Sequence, residues 1–221
     1  METPHKNIIK KQRYRPFTAT ILFPLSLGCV LYAFSDAKIF DKVHKDTNIP
    51  EYSAATFVGD SIRSVEAFAK VYKVLQSPRC VNCHPAGDIP LQGDDRKLHA
   101  MHPRRGEDGK GVLTMKCTNC HQPENTPGIH TPPGNPKWHL PPANMKMVFE
   151  GKKPHELAKQ LKDPAQNGNK DVKALIAHAD DDLVLWGWKP GEGRTLPPYS
   201  HKEFKEAWIT WLKTGAYAPA E

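Results

Sequence analysis

The chain has 221 residues, of which 38% are hydrophobic and 25% are charged, a balance that is typical of a soluble globular protein and excludes a disordered chain. Its formal net charge is +7, which falls to +3 without residues 1–35, because these carry five Lys or Arg and one Glu. So small a charge gives no indication of nucleic-acid binding. The 21 Pro and 15 Gly are concentrated between about residues 85 and 155 and predict long ordered loops, which need an additional group to fill the interior.

The N-terminus has the features of an export signal. Basic residues precede an apolar run from Phe17 to Phe34, and Ala33 and Ser35 supply the small residues that signal peptidase recognises. We predict a signal peptide over residues 1–35 and a periplasmic or otherwise exported protein. The alternative is an uncleaved anchor, in which residues 17–34 hold the protein at the outer face of the cytoplasmic membrane.

The first helix is predicted over residues 61–75. Ser61 can cap its start, and Pro78 follows its end. Five apolar residues recur there at helical spacing, namely Ile62, Val65, Phe68, Tyr72 and Leu75. We therefore expect a linker over residues 36–60 and one domain over residues 61–221.

The motif Cys-x-x-Cys-His occurs twice, as CVNCH from Cys80 to His84 and as CTNCH from Cys117 to His121. With the signal removed, these motifs contain all the remaining cysteines, and the protein enters an oxidising compartment. Three interpretations compete: two disulfides, one zinc ion bound by four thiolates, or two covalently attached c-type haems. Only the haem interpretation gives both histidines a role. We therefore expect two haem c groups, bound by Cys80, Cys83 and His84 and by Cys117, Cys120 and His121.

The spacing within the motif suits the chemistry of the haem. Each cysteine sulfur adds to one vinyl group of the porphyrin, and the histidine that follows becomes the proximal ligand of the iron. Two apolar macrocycles would also fill the interior that the loops leave open. We predict a mainly α, cytochrome c-like fold in which long Pro- and Gly-rich loops pack around two covalently bound haems.

The distal ligands of the irons are predicted from spacing and local stiffness. His99 follows His84 at nearly the spacing at which His139 follows His121, so we expect His99 at the first iron and His139 at the second. The alternatives are His102 at the first iron and Met145, which follows a proline-rich loop, at the second. A methionine ligand would raise the reduction potential relative to a second histidine, and an open position would permit oxygen or peroxide chemistry.

Three further helices are predicted in the C-terminal part. One runs from Pro154 to about Lys162, and the next covers about residues 171–185. The last starts with a capping box of Ser200 and Glu203 and ends at Gly215. Its apolar stripe is expected in the core and consists of Phe204, Trp208, Trp211 and Leu212.

Several longer sequence segments resemble those of a small family of exported dihaem cytochromes c, some members of which are labelled isoquinoline 1-oxidoreductase subunit. The resemblance begins near Leu75 and reaches the C-terminus, and its segments include RRGEDGKGVLTMKCTNCH, NPKWHLPP and LIAHADDDLVLWGW. It implies haem binding, electron transfer and a partner enzyme, such as a molybdenum hydroxylase that passes electrons out. The partner's activity is not carried over to this chain, whose sequence has no pterin-binding or iron–sulfur pattern.

Two classes of function follow from two haems. The first is an electron carrier that moves electrons between a donor protein and an acceptor protein. The second is a redox enzyme, of a peroxidase or thiosulfate-oxidising type, in which one iron keeps an open or displaceable position. The short chain and the surplus of candidate ligands favour the carrier. A membrane contact is expected only if the N-terminal segment is retained.

Overall fold

The computed structural model describes residues 54–221. The predicted signal peptide over residues 1–35, its alternative as an anchor over residues 17–34, and the predicted linker up to residue 53 lie outside the described residues. Within residues 54–221, none of the helices combines the length and the apolar character that a membrane span requires.

The described residues are mainly helical, as predicted, and include two short hairpins. The helices are α1 Ala54–Leu75, α2 Pro78–Val81, α3 Pro154–Lys162, α4 Pro164–Asn167, α5 Val172–His178, α6 Asp182–Trp186 and α7 His201–Lys213. The first hairpin pairs β1 Leu91–Gln92 with β2 Lys97–Leu98, and the second pairs β3 Gly111–Val112 with β4 Met115–Lys116. Both pairs are antiparallel, with Leu91 opposite Leu98 and Gly111 opposite Lys116.

Helix α1 begins earlier than predicted. It starts at Ala54, so Ser61 lies inside the helix, where its hydroxyl donates to the carbonyl of Val58 over 2.9 Å and does not cap the first turn. A serine within a helix commonly makes this backward hydrogen bond, which local sequence does not distinguish from a cap. Ile62, the first of the five apolar residues at helical spacing, is 55% exposed.

The main core lies between α1 and α7. Phe68 packs against Trp211 with ring centroids 4.8 Å apart, and both side chains are fully buried. Ser64 is buried beside them, where its hydroxyl donates to the carbonyl of Trp211 and accepts from the amide of Tyr217. The predicted core position of Trp208 and Trp211 is confirmed. So is the capping box of α7, in which the side chains of Ser200 and Glu203 each reach the other's backbone amide.

Helix α3 has the predicted bounds, but the helix predicted over residues 171–185 is two helices. Asp171 caps α5 by accepting from the amide of Ala174. The chain then turns at residues 179–181 before α6 begins. Residues 180–182 are three successive aspartates, which favour helix N-termini over helix interiors and so interrupt the helix here. This break places His178 at the last turn of α5, facing the region where the first motif lies.

Candidate functional site

The two CxxCH motifs fold into the same tight turn. In the first motif, the amides of Cys83 and His84 both donate to the carbonyl of Cys80, over 3.1 and 3.2 Å. In the second, the amides of Cys120 and His121 both donate to the carbonyl of Cys117, over 3.2 and 3.0 Å. Helix α2 supplies the first turn and a 3₁₀ turn over Cys117–Asn119 supplies the second. Each turn therefore presents two thiols and one imidazole from a single short segment.

Both motif histidines are held by the same pair of contacts. Nδ1 of His84 lies 2.7 Å from the carbonyl oxygen of Met147, and Nδ1 of His121 lies 2.7 Å from that of Pro133. A carbonyl only accepts, so Nδ1 carries the proton and Nε2 keeps its lone pair. This is the arrangement that metal-ligating histidines commonly have.

An aromatic ring stacks on each of these imidazoles. The ring of His84 lies 3.9 Å from that of Phe149, at an interplanar angle of 11°. The ring of His121 lies 4.3 Å from that of Trp138, at an angle of 13°. Neither partner belongs to a motif, so the whole arrangement of turn, carbonyl and aromatic ring is repeated in three dimensions.

A cavity of about 380 Å³ opens beside the first motif. This volume falls in the range of roughly 300–1,000 Å³ that is usual for small-molecule sites. Its wall includes Cys80, Cys83 and His84, together with apolar side chains from α1, α3, α5 and α7. The predicted core thus contains an apolar space that the loops border, as expected if an additional group completes the interior.

Four further side chains that can donate to a metal line this cavity, and they are His139, Met145, Met147 and His178. The first two were predicted as ligands for the second iron, but the structure brings them to the cavity of His84. His178 was missed by sequence reasoning, because it lies far along the chain and belongs to a helical segment without any metal-binding motif. The only local signal is the neighbouring run of aspartates, one of which, Asp181, bonds its imidazole.

His99 lies beside the second motif and not the first. Its ring is 6.0 Å from the ring of His121, between centroids, at an interplanar angle of 64°. Chain order predicted His99 for the first iron, whereas in the structure its ring lies beside that of the second motif histidine. The β1–β2 hairpin holds its backbone, since the amide of His99 donates to the carbonyl of Pro90. His102, the alternative at the first iron, is exposed and has a left-handed backbone.

The environment of the thiols and imidazoles favours their neutral forms. Burial raises the pKa of Cys80 to about 11, and burial together with Cys80 raises the pKa of Cys83 to about 12. Burial also lowers the pKa of His84 to about 4 and lowers that of His121. Redox-active Cys-x-x-Cys pairs instead have lowered thiol pKa values, so the first motif lacks the electrostatics of a disulfide oxidoreductase.

The geometry supports neither the disulfide nor the zinc interpretation. All four cysteines within residues 54–221 are free thiols. In the same part of the chain, no three His, Cys, Asp or Glu side chains are gathered where they could hold a metal ion. The imidazole of His121 does lie beside that of His99, and His84 shares its cavity with further imidazoles and thioethers. A porphyrin-bound iron takes two axial ligands of these kinds.

Two buried guanidiniums add positive charge near the first motif. The side chains of Arg79 and Arg105 are only 2% and 1% exposed. Their terminal nitrogens bond backbone carbonyls, and Asp94 also accepts from Arg79, yet the Nε atom of each has no hydrogen-bond partner within the described residues. A buried donor without a partner is costly, and although Oδ1 of Asp88 lies 3.8 Å from Nε of Arg105, an anionic group within hydrogen-bond distance would satisfy both guanidiniums. The carboxylates of a haem are such groups.

No protein-family model, curated protein or solved structure matches this chain. The resemblance to exported dihaem cytochromes therefore depends on the sequence segments alone.

Proposed function

We propose that this protein is an exported dihaem cytochrome c that carries electrons between a donor protein and an acceptor protein. The observation that supports the proposal best is the repeated arrangement around the two motif histidines. Each has a tight CxxCH turn, an Nδ1–carbonyl hydrogen bond and a stacked aromatic ring. Neither the disulfide nor the zinc interpretation explains why both histidines are prepared to bind through Nε2.

The first haem would be held by Cys80, Cys83 and His84, and the second by Cys117, Cys120 and His121. When bound, each haem supplies an iron that alternates between its ferric and ferrous states. The chain holds each imidazole in one tautomer and one orientation, and the wall of the first site is mostly apolar. At the second site, His99 supplies the facing imidazole.

The spacing of His99 and His121 agrees with this assignment. Two imidazoles bonded to one metal through bonds of about 2 Å have ring centres roughly 6 Å apart. The observed separation of the centroids is 6.0 Å. Nδ1 of His99 lies 2.7 Å from the carbonyl oxygen of Ala100, which accepts its proton. His99 therefore keeps a lone pair on Nε2, as His121 does, and each ring can donate to the iron through that atom.

A redox enzyme is the second candidate, and the first site is where it would operate. Its cavity is bordered by four donor side chains, of which His139 and His178 are exposed, so a ligand there could give way to a small molecule. In that case oxidised protein would bind cyanide rapidly at one haem and ferrous protein would react with peroxide. Slow or absent binding at both haems supports the carrier.

Intact mass spectrometry tests the proposal. Protein produced in a host with the cytochrome c maturation machinery is expected to carry two haems, and a Cys117→Ala/Cys120→Ala variant is expected to carry one. Apoprotein alone, or apoprotein with zinc, would overturn the proposal. Optical potentiometry of the same material then measures both reduction potentials, which limit the donor and acceptor proteins that can exchange electrons with it. An oxidoreductase such as a molybdenum hydroxylase is the first partner to test.

A further inference from the structure

We propose that His178 is the axial ligand that faces His84 at the first haem. This assignment depends on the proposed function, and it replaces the ligands that chain order suggests. Four donor side chains border the cavity of His84, so the question is which of them is oriented and held for the iron.

The backbone around His178 is fixed on both sides by buried contacts. The carbonyl of Leu175 accepts a hydrogen bond of 2.8 Å from Nε1 of Trp208, and Leu175 is buried. The carbonyl of Ala179 lies 2.8 Å from Nε2 of His201, and Ala179 is also buried. The last turn of α5 is therefore anchored to α7, which gives His178 the rigid support that an axial ligand needs.

The imidazole of His178 has a hydrogen bond at Nδ1 of the kind that metal-ligating histidines commonly make. Its Nδ1 lies 2.5 Å from Oδ2 of Asp181, so the carboxylate accepts the Nδ1 proton and Nε2 keeps its lone pair. A carboxylate–histidine–metal series of this kind fixes the ring and makes the imidazole a stronger donor.

The competing donors are less well placed. His139 has the same kind of Nδ1 contact as His84 and His99, to the carbonyl of Lys137 two residues away, but it lies in a loop, where Lys137 pairs with the exposed Asp182. Met145 packs its sulfur against Gly168, so close that a Cβ added to that glycine would lie 2.7 Å from the sulfur. Met147 is also engaged, since its sulfur accepts from Nε2 of Gln160 over 3.2 Å and its carbonyl bonds Nδ1 of His84.

Single substitutions in the mature holoprotein test the assignment. We expect His178→Ala to change one of the two haems from low-spin to high-spin in the oxidised optical and electron paramagnetic resonance spectra, and added imidazole to restore the low-spin signal. The matched variants His139→Ala and Met145→Ala are expected to leave both haems low-spin. His178→Met should introduce a methionine-to-iron charge-transfer band in the red region, which a loss of folding would not produce.

A second variant distinguishes the role of the His178 imidazole from that of its hydrogen-bond partner, Asp181. Asp181→Asn keeps the imidazole but removes the anionic acceptor, so both haems should stay low-spin while the potential of one haem rises. The rise is expected because a carboxylate partner favours the ferric state. A purely structural role of Asp181 would not shift one potential selectively.

The outcomes distinguish this assignment from the proposed function. If intact mass finds two haems in His178→Ala and its spectra match those of the parent, the assignment is overturned while the dihaem proposal stands. A high-spin change in His139→Ala or Met145→Ala also overturns it, in favour of that residue. If the parent protein carries no haem, both proposals fail together.

Discussion

The imidazole rings of His99 and His121 lie edge to face, with their centroids 6.0 Å apart. Because such a separation suits two axial ligands of one iron, we predict that His99→Ala converts one of the two haems from low-spin to high-spin. Oxidised optical spectra and electron paramagnetic resonance measure the change. The affected haem should be the one that remains in a Cys80→Ala/Cys83→Ala variant.

His102 supplies the control for this prediction, since it lies three residues further along the chain and its side chain is exposed. His102→Ala should leave the spectra unchanged. Two low-spin haems in His99→Ala, or a change in His102→Ala instead, would show that the contact with His121 does not represent axial ligation.

The aromatic rings that stack on the motif histidines are predicted to tune the two potentials separately. Trp138→Leu should lower the potential of the second haem, because the smaller side chain admits water, which stabilises the more highly charged ferric state. An aromatic pair contributes about 0.5–1.5 kcal/mol. Only the part of this energy that differs between the ferric and ferrous states shifts the potential, so for a one-electron couple the shift is at most roughly 20–60 mV.

Phe149→Leu is the matched change at the first haem, where Phe149 stacks on His84. Potentiometric titration followed optically should show that each substitution shifts a different haem. If both variants shift the same haem, or if neither shifts any, the stacking contacts have no individual effect on the potentials.

Asp94 is predicted to stabilise the fold through the buried Arg79. Its carboxylate lies 2.5 Å from the guanidinium of Arg79 and also accepts from the amide and the hydroxyl of Thr195. Asp94→Asn removes the charge that compensates a cation of which only 2% is exposed, and should reduce the free energy of unfolding by about 1–3 kcal/mol. Asp95→Asn is the control. Asp95 pairs with the exposed Lys97, so this substitution should change the free energy of unfolding by less than about 0.5 kcal/mol.

The effect of Asp94 should depend on pH. Partial desolvation raises the pKa of Asp94, but hydrogen bonds from Thr195 and the charge of Arg79 outweigh it and hold the pKa below its ordinary value. The unfolded chain then binds the proton more tightly than the folded chain, so the stabilisation is full at neutral pH and is lost as the pH falls below about 4. Urea denaturation should show a difference between the parent and Asp94→Asn that shrinks in acid. A difference that grows in acid would contradict this sign.

Gly109 is predicted to be required for the path of the loop that carries His139. Its φ is +77°, and a Cβ built there would overlap the carbonyl of Leu140. Gly109→Ala should destabilise the protein by at least about 2 kcal/mol, because it combines a strained backbone with a collision between two main chains. Gly59→Ala in α1 meets no atom within 4 Å and should stabilise the helix by roughly 0.5–1 kcal/mol. Thermal unfolding of both variants checks the opposite signs.

Sequence reasoning succeeded where a local signal decides the structure. The bounds of α3 follow from Pro154 at its first position, and the start of α7 follows from the capping box of Ser200 and Glu203. It was wrong at Ser61, because a serine that caps a helix and a serine that bonds backward within one have the same local sequence. It also joined α5 and α6 across an apolar pattern that the aspartates interrupt.

The candidate site likewise contains features that local sequence predicts and features that depend on the fold. The sequence by itself predicted the two motifs as haem attachment sites, because a thiol, a thiol and an imidazole would have to come from one turn of chain to reach a single porphyrin edge and its iron. Only the tertiary structure decided what lies beside each motif: it places His99 beside His121, and both His139 and His178 at the cavity of His84. An axial partner can come from any segment that the fold returns to the site, so spacing along the chain carries no information about it.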